Sequence, residues 1–591
     1  MKEKFSFSSV FAQALIILFC FILIFARGEA FSKKIGEDKV SASLPELKIL
    51  LSVIKDGEGK VSHVGVTLEI FEASNEDDKP LRLKAPLKYA NVTGIAERIE
   101  NLRAWDEEGA LELKQLEDVS EEGGMIIWRK WEVSRKTRGK VRVSYLSRLP
   151  ERELRQPGPP YYLSSEGGGV SGAGCGFMAL PEESGDFKLS LSWDLEGLGP
   201  GSSASCSLGD GNFESICPIE RIFQSWFIAG PLERFPEQGN INGFSSAWLG
   251  EAPFDARELM SWSSQAFTAL KAFFRDESED AYRFFMRIGP DYPGVGGTAL
   301  YNSFMLYVAT EPELVRDPRG TIFHEMTHKW VGEMEGQGGE AFWFTEGLTV
   351  HYTRVVMYRA GLCSAEEYLE DANGSVIRYF TSPRRNLPNA RIGELFWEDQ
   401  DAQRIPYDRG SLYFAHLDAE MRELTKGERS LDDLILSLFE RRRKGEKLTL
   451  KLWLEELEKE LGPSGVKEFN SIIIEGKEFV PHPDAFGKEF ERVPAKLRQF
   501  ELGFDERSLR GKERRITGLV KGTAAERAGL QNGDLILNKV NLNEIKKDDS
   551  LPLRLRIRRG DKVFEVEYLP RGKEIDGYRW VRRGTNIKGN I

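Results

Sequence analysis

Two histidines and a glutamate are spaced as a hydrolytic metal site requires. The segment His324-Glu325-Met326-Thr327-His328 places its two histidines four residues apart. A helix is predicted from about Arg319 to Gly332, and on a helix residues i and i+4 share one face, so both imidazoles can hold one ion. Glu325 lies one position round that helix, where it can act as general base on a water beside the ion.

A third ligand is expected from Glu346, which lies in the segment Trp343-Phe344-Thr345-Glu346-Gly347. A second helix, from about Thr345 to Ala360, would carry this carboxylate back to the ion. Two imidazoles and one carboxylate leave the fourth tetrahedral position open, which is typical of catalytic rather than structural zinc. We therefore predict one Zn²⁺ ion held by three side chains. His351 is a rival ligand, but it should lie more than a turn further along the second helix.

These segments resemble the gluzincin metallopeptidases, in which His-Glu-x-x-His-x-Trp, here ending at Trp330, is followed by Trp-Phe-x-Glu-Gly. A later part resembles specifically the glycyl aminopeptidase family that carries a C-terminal PDZ domain. Its matching residues are Tyr407-Asp408-Arg409-Gly410, Leu417-Asp418-x-Glu420 and Ser430-Leu431-Asp432-Asp433. The resemblance implies a zinc peptidase that acts as an aminopeptidase on peptides or proteins.

Two departures from that family stand out. The link between His328 and Glu346 is shorter than the family's. The relatives also place a Glu after paired glycines, where it holds the substrate's α-amino group, and this chain has Ala299 there. Because a desolvated, unpaired ammonium is costly, another acid such as Asp291, or one within 333–340, would have to replace it. Aminopeptidase and endopeptidase or oligopeptidase action therefore both stay open.

The resemblance also implies roles for residues on either side of the metal segment. Gly296, Gly297 and Thr298 would lie on a strand edge that binds substrate backbone, since paired glycines let a peptide approach by β-augmentation. Tyr407 would head a helix that begins near Gly410. Its phenol would donate to the oxygen on which charge develops when a peptide carbonyl is attacked.

Length and hydrophobic periodicity divide the chain into domains. With 591 residues it is too long for one core. Residues 31–218 show period-two alternation, for example at Val64, Val66, Leu68 and Ile70, which indicates an N-terminal β domain. Residues 219–490 are predicted to form a thermolysin-like catalytic domain, first α/β and then α-helical.

Within that catalytic domain the periodicity predicts individual elements. Strands are expected at Phe223–Ile228, Tyr282–Ile288 and Phe304–Val308, around a helix at Ser264–Arg275. Later helices are expected at Ala365–Phe380, Gly410–Thr425, Leu431–Lys444 and Leu450–Leu461. His416, on one of them, is interpreted as a core or surface residue without an acid partner at ligand spacing.

Residues 491–572 are predicted to form a PDZ-like domain, which completes a multi-domain α+β fold. The resemblance rests on Phe500-Glu501-Leu502-Gly503-Phe504, on the stretch 522–530 and on the stretch 533–537. Backbone N–H groups at Leu502, Gly503 and Phe504 would capture a C-terminal peptide. The alternative to an active peptidase is a PDZ-bearing peptide-binding scaffold with little catalysis. Residues 573–591 are predicted to form a flexible basic tail.

Charge and the N-terminus bear on partners and location. A net charge of −11 without a basic domain argues against nucleic acid. In residues 1–30, Lys2 and Lys4 precede an apolar run at 10–26 and the small residues of Gly28-Glu29-Ala30, which indicates an export signal. The chain is therefore expected in the periplasm or outside the cell. The run is barely long enough to span a membrane, so an uncleaved anchor is the alternative.

Four cysteines would remain after removal of the signal, namely Cys175, Cys206, Cys217 and Cys363. None has CxxC spacing, so neither a metal nor a redox site is indicated. Cys206 and Cys217 are close enough in sequence to close a small loop, and free buried thiols are the other possibility.

Overall fold

The computed structural model of the chain describes residues 44–584 except 72–79, 91, 122–123, 152–160, 291, 293, 333, 336–337, 397–398, 510–512, 541 and 548. The predicted export signal (1–30) with its apolar run (10–26), Asp291, Glu333 and the end of the tail lie outside the described residues. Within the described ranges, no helix is long and apolar enough to cross a membrane. The chain divides into two compact units, one ending at Lys329 and one beginning at Trp330.

The first unit begins with β-strands. They are β1 (Glu46–Lys55), β2 (Val61–Phe71), β3 (Arg82–Tyr89), β4 (Val92–Thr93), β5 (Ile99–Asp106), β6 (Gly109–Leu111), β7 (Leu113–Gln115), β8 (Val119–Ser120), β9 (Ile126–Val133), β10 (Val141–Arg148), β11 (Val170–Ala173), β12 (Leu180–Pro181), β13 (Asp186–Asp194), β14 (Ser203–Cys206), β15 (Gly209–Asp210) and β16 (Phe213–Pro218). A short helix α1 (Ile219–Phe223) and strand β17 (Trp226–Gly230) follow.

These strands form the predicted N-terminal β domain. One sheet has the order β16-β13-β1-β2-β10-β5-β6, a second contains β12-β3-β9-β7, and a third contains β11-β17-β14-β15. The alternation in β2 is confirmed, because Val64, Val66, Leu68 and Ile70 are all buried in one core. Period-two burial of this kind gives each strand one apolar face for the core.

The predicted boundary after residue 218 is wrong. Of the strand expected at Phe223–Ile228, the first residue ends helix α1 and the last three belong to β17, which pairs with β11 and β14 rather than with the catalytic sheet. All of β17 is buried. A continuous apolar run without alternation does not reveal which sheet it joins, since both faces are covered.

The rest of the first unit is α/β. Its elements are β18 (Glu233–Phe235), β19 (Phe244–Leu249), α2 (Ala256–Phe273), β20 (Tyr282–Gly289), β21 (Val295–Leu300), β22 (Ser303–Ala309) and α3 (Arg319–Thr327). The sheet order is β18-β19-β20-β22-β21, with β19, β20 and β22 parallel and β21 antiparallel at the edge. The strands predicted at 282–288 and 304–308 are confirmed. Helix α2 begins earlier than predicted because Asp255 caps it by accepting from Glu258 N–H.

The second unit begins with helices α4 (Phe342–Arg359), α5 (Ala365–Thr381), α6 (Asn389–Leu395), α7 (Gln400–Leu424), α8 (Leu431–Arg443) and α9 (Leu450–Phe469). The predictions for α5 and α8 are confirmed to within a residue. The start predicted at Gly410 is wrong, because Asp399 caps a helix that begins ten residues earlier and contains Pro406. Helix α9 runs past the predicted end at Leu461, with a break at Gly462.

The C-terminal elements are β23 (Phe490–Phe500), α10 (Ala524–Arg527), β24 (Leu535–Ile536), α11 (Leu542–Lys547), β25 (Leu553–Arg559), β26 (Lys562–Tyr568) and β27 (Arg571–Arg582). The prediction of a tail from residue 573 is wrong, because β27 pairs along its length with β23. This ribbon packs on α5, where Trp580 exchanges two hydrogen bonds of 2.8 Å with Asn373. Strands β24, β25 and β26 form a separate small sheet.

The four cysteines of the described chain are free thiols. Cys175, Cys206 and Cys217 are buried, and burial raises the pKa of the Cys206 thiol to about 12. The loop closure considered for Cys206 and Cys217 is not present in this structure, and both cysteines serve as small core residues.

Candidate metal centre

Helix α3 holds both histidines of the predicted site. It ends at Thr327 rather than at Gly332, yet His328 keeps right-handed helical dihedrals as the C-cap, so the i, i+4 relation survives. Both rings are buried, His324 at 1% exposure and His328 at 4%. Their Nε2 atoms lie 3.2 Å apart with the rings nearly perpendicular.

Helix α4 supplies the carboxylate. It begins at Phe342, three residues before the predicted start, so Glu346 lies in its second turn and is 1% exposed. One ligand atom each from His324, His328 and Glu346 lie within 4.8 Å of one another. The structure therefore brings the three predicted ligands together.

The spacing fits zinc. Two imidazole nitrogens bound at Zn–N distances of 2.0–2.1 Å with a tetrahedral angle would lie about 3.3 Å apart, and the observed separation of the two Nε2 atoms is 3.2 Å. Two ring lone pairs that face each other repel unless a cation or a proton lies between them. The donor set, two imidazoles and one carboxylate, is that of a catalytic zinc site.

Glu325, the predicted general base, lies on α3 between the two histidines and is 1% exposed. Its charge is felt by Tyr282 of β20, whose pKa is raised well above 10 first by burial and then by the Glu325 carboxylate. Tyr282 thus stays a neutral phenol beside the base. A carboxylate in such a water-poor environment attracts the proton of a neighbouring water more strongly than it would in solvent.

Tyr407 lies within α7, not at its head, and is 2% exposed. Three residues later, Gly410 meets Gly347 of α4, where an added Cβ on Gly347 would come within 2.6 Å of the Gly410 Cα. An added Cβ on Gly410 would meet the Trp343 carbonyl oxygen at 2.6 Å. Only glycines allow this backbone approach. The two helices therefore cross in direct backbone contact one residue after Glu346 and three residues after Tyr407.

Strand β21 carries the three predicted substrate-binding residues, Gly296, Gly297 and Thr298. It pairs with β22 on one side, and its other side is the edge of the sheet in the described part of the chain. An added Cβ on Gly297 would meet the Phe304 ring at 2.2 Å, so packing requires this glycine whether or not a ligand does. The edge itself has the form that β-augmentation uses.

Strand β21 offers no carboxylate for a substrate amine, and residue 299 is a buried alanine. Of the other acids considered, Glu335 is held by Lys447 at 2.6 Å and Glu340 is exposed at the entry to α4. His351, the rival ligand, is fully enclosed, and burial lowers its pKa to about 3. It therefore stays neutral, and it is not part of the three-residue cluster.

A second His/Glu cluster was missed by the sequence reasoning. His416 Nε2 lies 3.2 Å from Glu468 Oε1 and 3.4 Å from Glu420 Oε1. The interpretation that His416 lacks an acid partner is wrong, since Glu420 follows at i+4 and that spacing was a readable signal. Glu468 comes from α9 and had no sequence signal.

Hydrogen bonding shows that this second cluster does not suit a metal. The backbone N–H of His482 donates to His416 Nδ1 at 3.0 Å, so this nitrogen uses its lone pair. A neutral ring then carries its hydrogen on Nε2, which donates to the two carboxylates rather than ligating a cation. Burial raises the pKa of Glu420 to about 7, and the bond from His416 lowers the pKa of Glu468.

The predicted peptide-binding loop lies between β23 and the short helix at 506–509. Leu502 and Phe504 bury their side chains in the core of the small sheet, and Gly503 has φ +85°. The Leu502 carbonyl accepts from the Tyr568 hydroxyl at 2.7 Å. Among the described residues, no acceptor for the N–H groups of Leu502, Gly503 and Phe504 is found.

Two kinds of similarity to known proteins are found, one to a family model and one to solved structures. A family model described as M61 glycyl aminopeptidase matches residues 318–392. A search of curated proteins finds no match. Among solved structures, the chain is similar to an aminopeptidase N family protein from Idiomarina loihiensis, with a TM-score of 0.65 and 15% identity over 91% of this chain and 98% of that one.

Weaker likenesses have TM-scores below 0.5. They are to an M1 zinc metallopeptidase from Deinococcus radiodurans (0.47, 16% identity, 74% of this chain and 96% of that one) and to yeast LTA4 hydrolase in complex with bestatin (0.45, 15% identity, 74% and 69%). The likeness to the Idiomarina protein concerns the fold alone: multi-domain α+β with an N-terminal β domain. The match across the metal segment supports a gluzincin-type metallopeptidase.

Proposed function

We propose that this chain is a zinc-dependent aminopeptidase that hydrolyses peptide bonds at the N-terminus of peptides or proteins. The observation that carries the proposal is the buried set of three ligand atoms within 4.8 Å, with Glu325 on the same helix between the two histidines. The aminopeptidase assignment draws on the family model that matches residues 318–392.

The residues divide the chemistry among them. His324, His328 and Glu346 would hold the zinc, which when bound supplies a Lewis acid and lowers the pKa of a water toward ~7. Glu325 takes the proton of the attacking water and returns it to the leaving amine. Tyr407 donates a hydrogen bond to the carbonyl oxygen as negative charge develops there.

A substrate peptide would lie along the outer edge of β21, with its backbone paired to residues 296–298. This strand is buried and pairs with β22 along its length, so the scissile bond would be presented in a fixed register. The free α-amino group must be held by a side chain other than residue 299, since alanine offers no charge.

The test compares one peptide with a free and with an acetylated N-terminus, using the full chain loaded with zinc and Glu325→Gln as control. We expect stepwise release of N-terminal residues from the free peptide, none from the acetylated one, and turnover about 10³-fold slower by the variant. Internal cleavage of the acetylated peptide would identify an endopeptidase instead. Zinc binding without cleavage of either peptide would refute the enzyme assignment.

We further propose that residues 1–30 export the chain, so that the enzyme acts in the periplasm or outside the cell, either released or anchored by residues 10–26. The charge and hydrophobicity of this segment support export. Fractionation of cells that express the full chain would test this proposal. Recovery in the cytoplasm with an intact N-terminus would contradict it.

We also propose that the loop of Leu502, Gly503 and Phe504 captures the C-terminal carboxylate of a peptide or protein partner. Three successive N–H groups with no acceptor among the described residues support this, since such a loop forms an anion-binding concavity. A hydrophobic C-terminal peptide should bind in a fluorescence anisotropy assay, and its amidated form should not. Equal binding of both peptides would exclude carboxylate capture.

A further inference from the structure

We propose that a buried charged network between α4, α5 and α7 positions Tyr407 relative to Glu346, an inference that rests on the proposed peptidase function. We name it the α4–α7 network. Its members are Arg354 on α4, Asp371, Ser375 and Arg378 on α5, and Asp408 and Ser411 on α7. Asp408 directly follows Tyr407, and Arg354 lies about two turns after Glu346 on the same helix.

Arg354 ties α4 to both neighbouring helices. Its Nε donates to Asp371 in a short ion pair, and its Nη2 donates to Ser375 Oγ at 2.6 Å, both on α5. Its Nη1 donates to Ser411 Oγ on α7 at 3.2 Å. One planar guanidinium thus fixes the distances between three helices, which a lysine could not do with a single ammonium.

Arg378 ties α5 to the turn of α7 that carries Tyr407. Its Nη2 donates to Asp408 Oδ1 at 2.6 Å, and its Nε lies 3.1 Å from both carboxylate oxygens. The same Nη2 donates to Ser375 Oγ at 2.8 Å, the hydroxyl that Arg354 also contacts. Ser375 therefore joins the two arginines in one network.

Burial restricts the charged side chains of the α4–α7 network to pairing with one another. The side chains of Arg354, Asp371, Arg378 and Asp408 are between 3% and 9% exposed, so water offers them few alternative partners. Each of the two arginines is paired with an aspartate, which removes the large cost of an unpaired buried charge. Any sliding or rotation of α7 would break several charged hydrogen bonds at once.

The network and the glycine crossing fix α7 on two sides. Gly410 faces α4 at the crossing with Gly347, while Asp408 and Ser411, three residues apart on one face, engage α5 and Arg354. Contacts along two lines of a helix determine its rotation about its own axis. Tyr407 lies between these two lines, so its direction is set by both.

The position of Tyr407 matters because its proposed role depends on a hydrogen bond formed in the transition state. A misplacement of ~1 Å at a reacting group can cost on the order of a hundredfold in rate. A residue that acts only through Tyr407 should affect kcat much more than KM. Substitution of such a residue should also have no further effect in the Tyr407→Phe variant, which lacks the phenol hydroxyl.

The test is a double-variant cycle on the zinc-loaded full chain. Tyr407→Phe should lower kcat about a hundredfold, and Asp408→Asn should lower it about tenfold with KM and zinc content unchanged. Adding Asp408→Asn to Tyr407→Phe should change kcat less than about twofold, since the misplaced group is absent. Effects that multiply in the double variant would overturn the proposal.

Asp418→Asn is the matched control, since Asp418 is a buried aspartate on α7 paired with Arg422 at 2.9 Å but outside the α4–α7 network. We expect it to lower the thermal midpoint as Asp408→Asn does and to leave kcat unchanged. An equal loss of kcat in Asp418→Asn would show that the effect of Asp408 is general destabilisation, and would also overturn the proposal.

A second readout does not depend on catalysis. In chains labelled with fluorotyrosine, the ¹⁹F resonance of residue 407 is the one missing from Tyr407→Phe. It should shift or broaden in Asp408→Asn and stay in place in Asp418→Asn. An unmoved resonance in Asp408→Asn would refute the positioning of Tyr407 by the α4–α7 network. Absence of peptide cleavage by the wild type would refute only the proposed function, because the resonance can still be measured.

Discussion

The two histidine–glutamate clusters of this protein look alike in composition and differ in chemistry. His324/His328/Glu346 and His416/Glu420/Glu468 each combine helical i, i+4 spacing with a carboxylate from another helix. In the first, two ring nitrogens face one space at 3.2 Å, and all three residues are buried. In the second, a backbone amide occupies the far ring nitrogen, and the two glutamates are partly exposed.

The difference shows that ligand spacing is necessary but not sufficient for a metal site. In the second cluster the other ring nitrogen of His416 decides, because it accepts a hydrogen bond and so leaves Nε2 with a hydrogen rather than a lone pair to offer. The first cluster presents two ring nitrogens and a carboxylate to one point and suits zinc. In the second cluster, His416 Nε2 donates its hydrogen to Glu420 and Glu468, so this cluster binds a proton rather than a metal ion.

The strongest test of this comparison removes one ligand from each cluster. His328→Ala should lose the zinc and lower kcat/KM more than roughly 10⁴-fold, because both the Lewis acid and the activated water depend on the ion. Glu468→Gln should keep the same zinc content and most of the activity. Metal analysis by atomic emission and peptide hydrolysis measure both. A loss of zinc from Glu468→Gln would break the distinction between the clusters.

Glu325→Gln separates metal binding from proton transfer within the first cluster. The amide cannot accept the proton of the attacking water, so kcat should fall by about 10³-fold while zinc stays bound. The same atomic emission and hydrolysis measurements apply. Should the variant lose its zinc, Glu325 would have to be counted among the ligands.

Gly410→Ala tests how α7, which carries both Tyr407 and His416, is held at its metal end. The added Cβ would come within 2.6 Å of the Trp343 carbonyl oxygen. We expect a loss of roughly 1–3 kcal/mol in the free energy of unfolding and about a tenfold loss of kcat, measured by urea unfolding and hydrolysis. Gly393→Ala is the control, since its Cβ would make only ordinary contacts at 3.5 Å and longer. Equal loss in both variants would contradict this account.

The smallest effect concerns pH and the second cluster. Burial raises the pKa of Glu420 to about 7 from an ordinary 4.5, so the folded protein binds a proton there that the unfolded chain releases. The stabilisation from this proton is full below about pH 4.5 and is lost as the pH rises through 7. Urea unfolding between pH 5 and 8 should therefore show a smaller decline in Glu420→Gln than in the wild type. An identical decline would place the proton elsewhere.

In the C-terminal region the structure differs from what the local sequence pattern predicts. The stretch 522–537 predicted a separate domain with a loose tail behind it, yet β27 returns to pair with β23 and buries Trp580 against α5. The sequence of residues 571–582 does not identify β23 as the partner strand. Pairing between segments about eighty residues apart depends on how the intervening chain folds and positions them.

By itself the sequence determined the ligand types, their i, i+4 spacing, the general base and the alternating β domain, because these follow from helical and strand periodicity over a few residues. Only the tertiary structure decided how Glu346 meets the two rings, how the glycine crossing brings α4 and α7 together, and what the second nitrogen of His416 does. Those facts depend on side chains and backbone groups far apart in the chain, whose meeting is set by packing and by the pairing of buried charges.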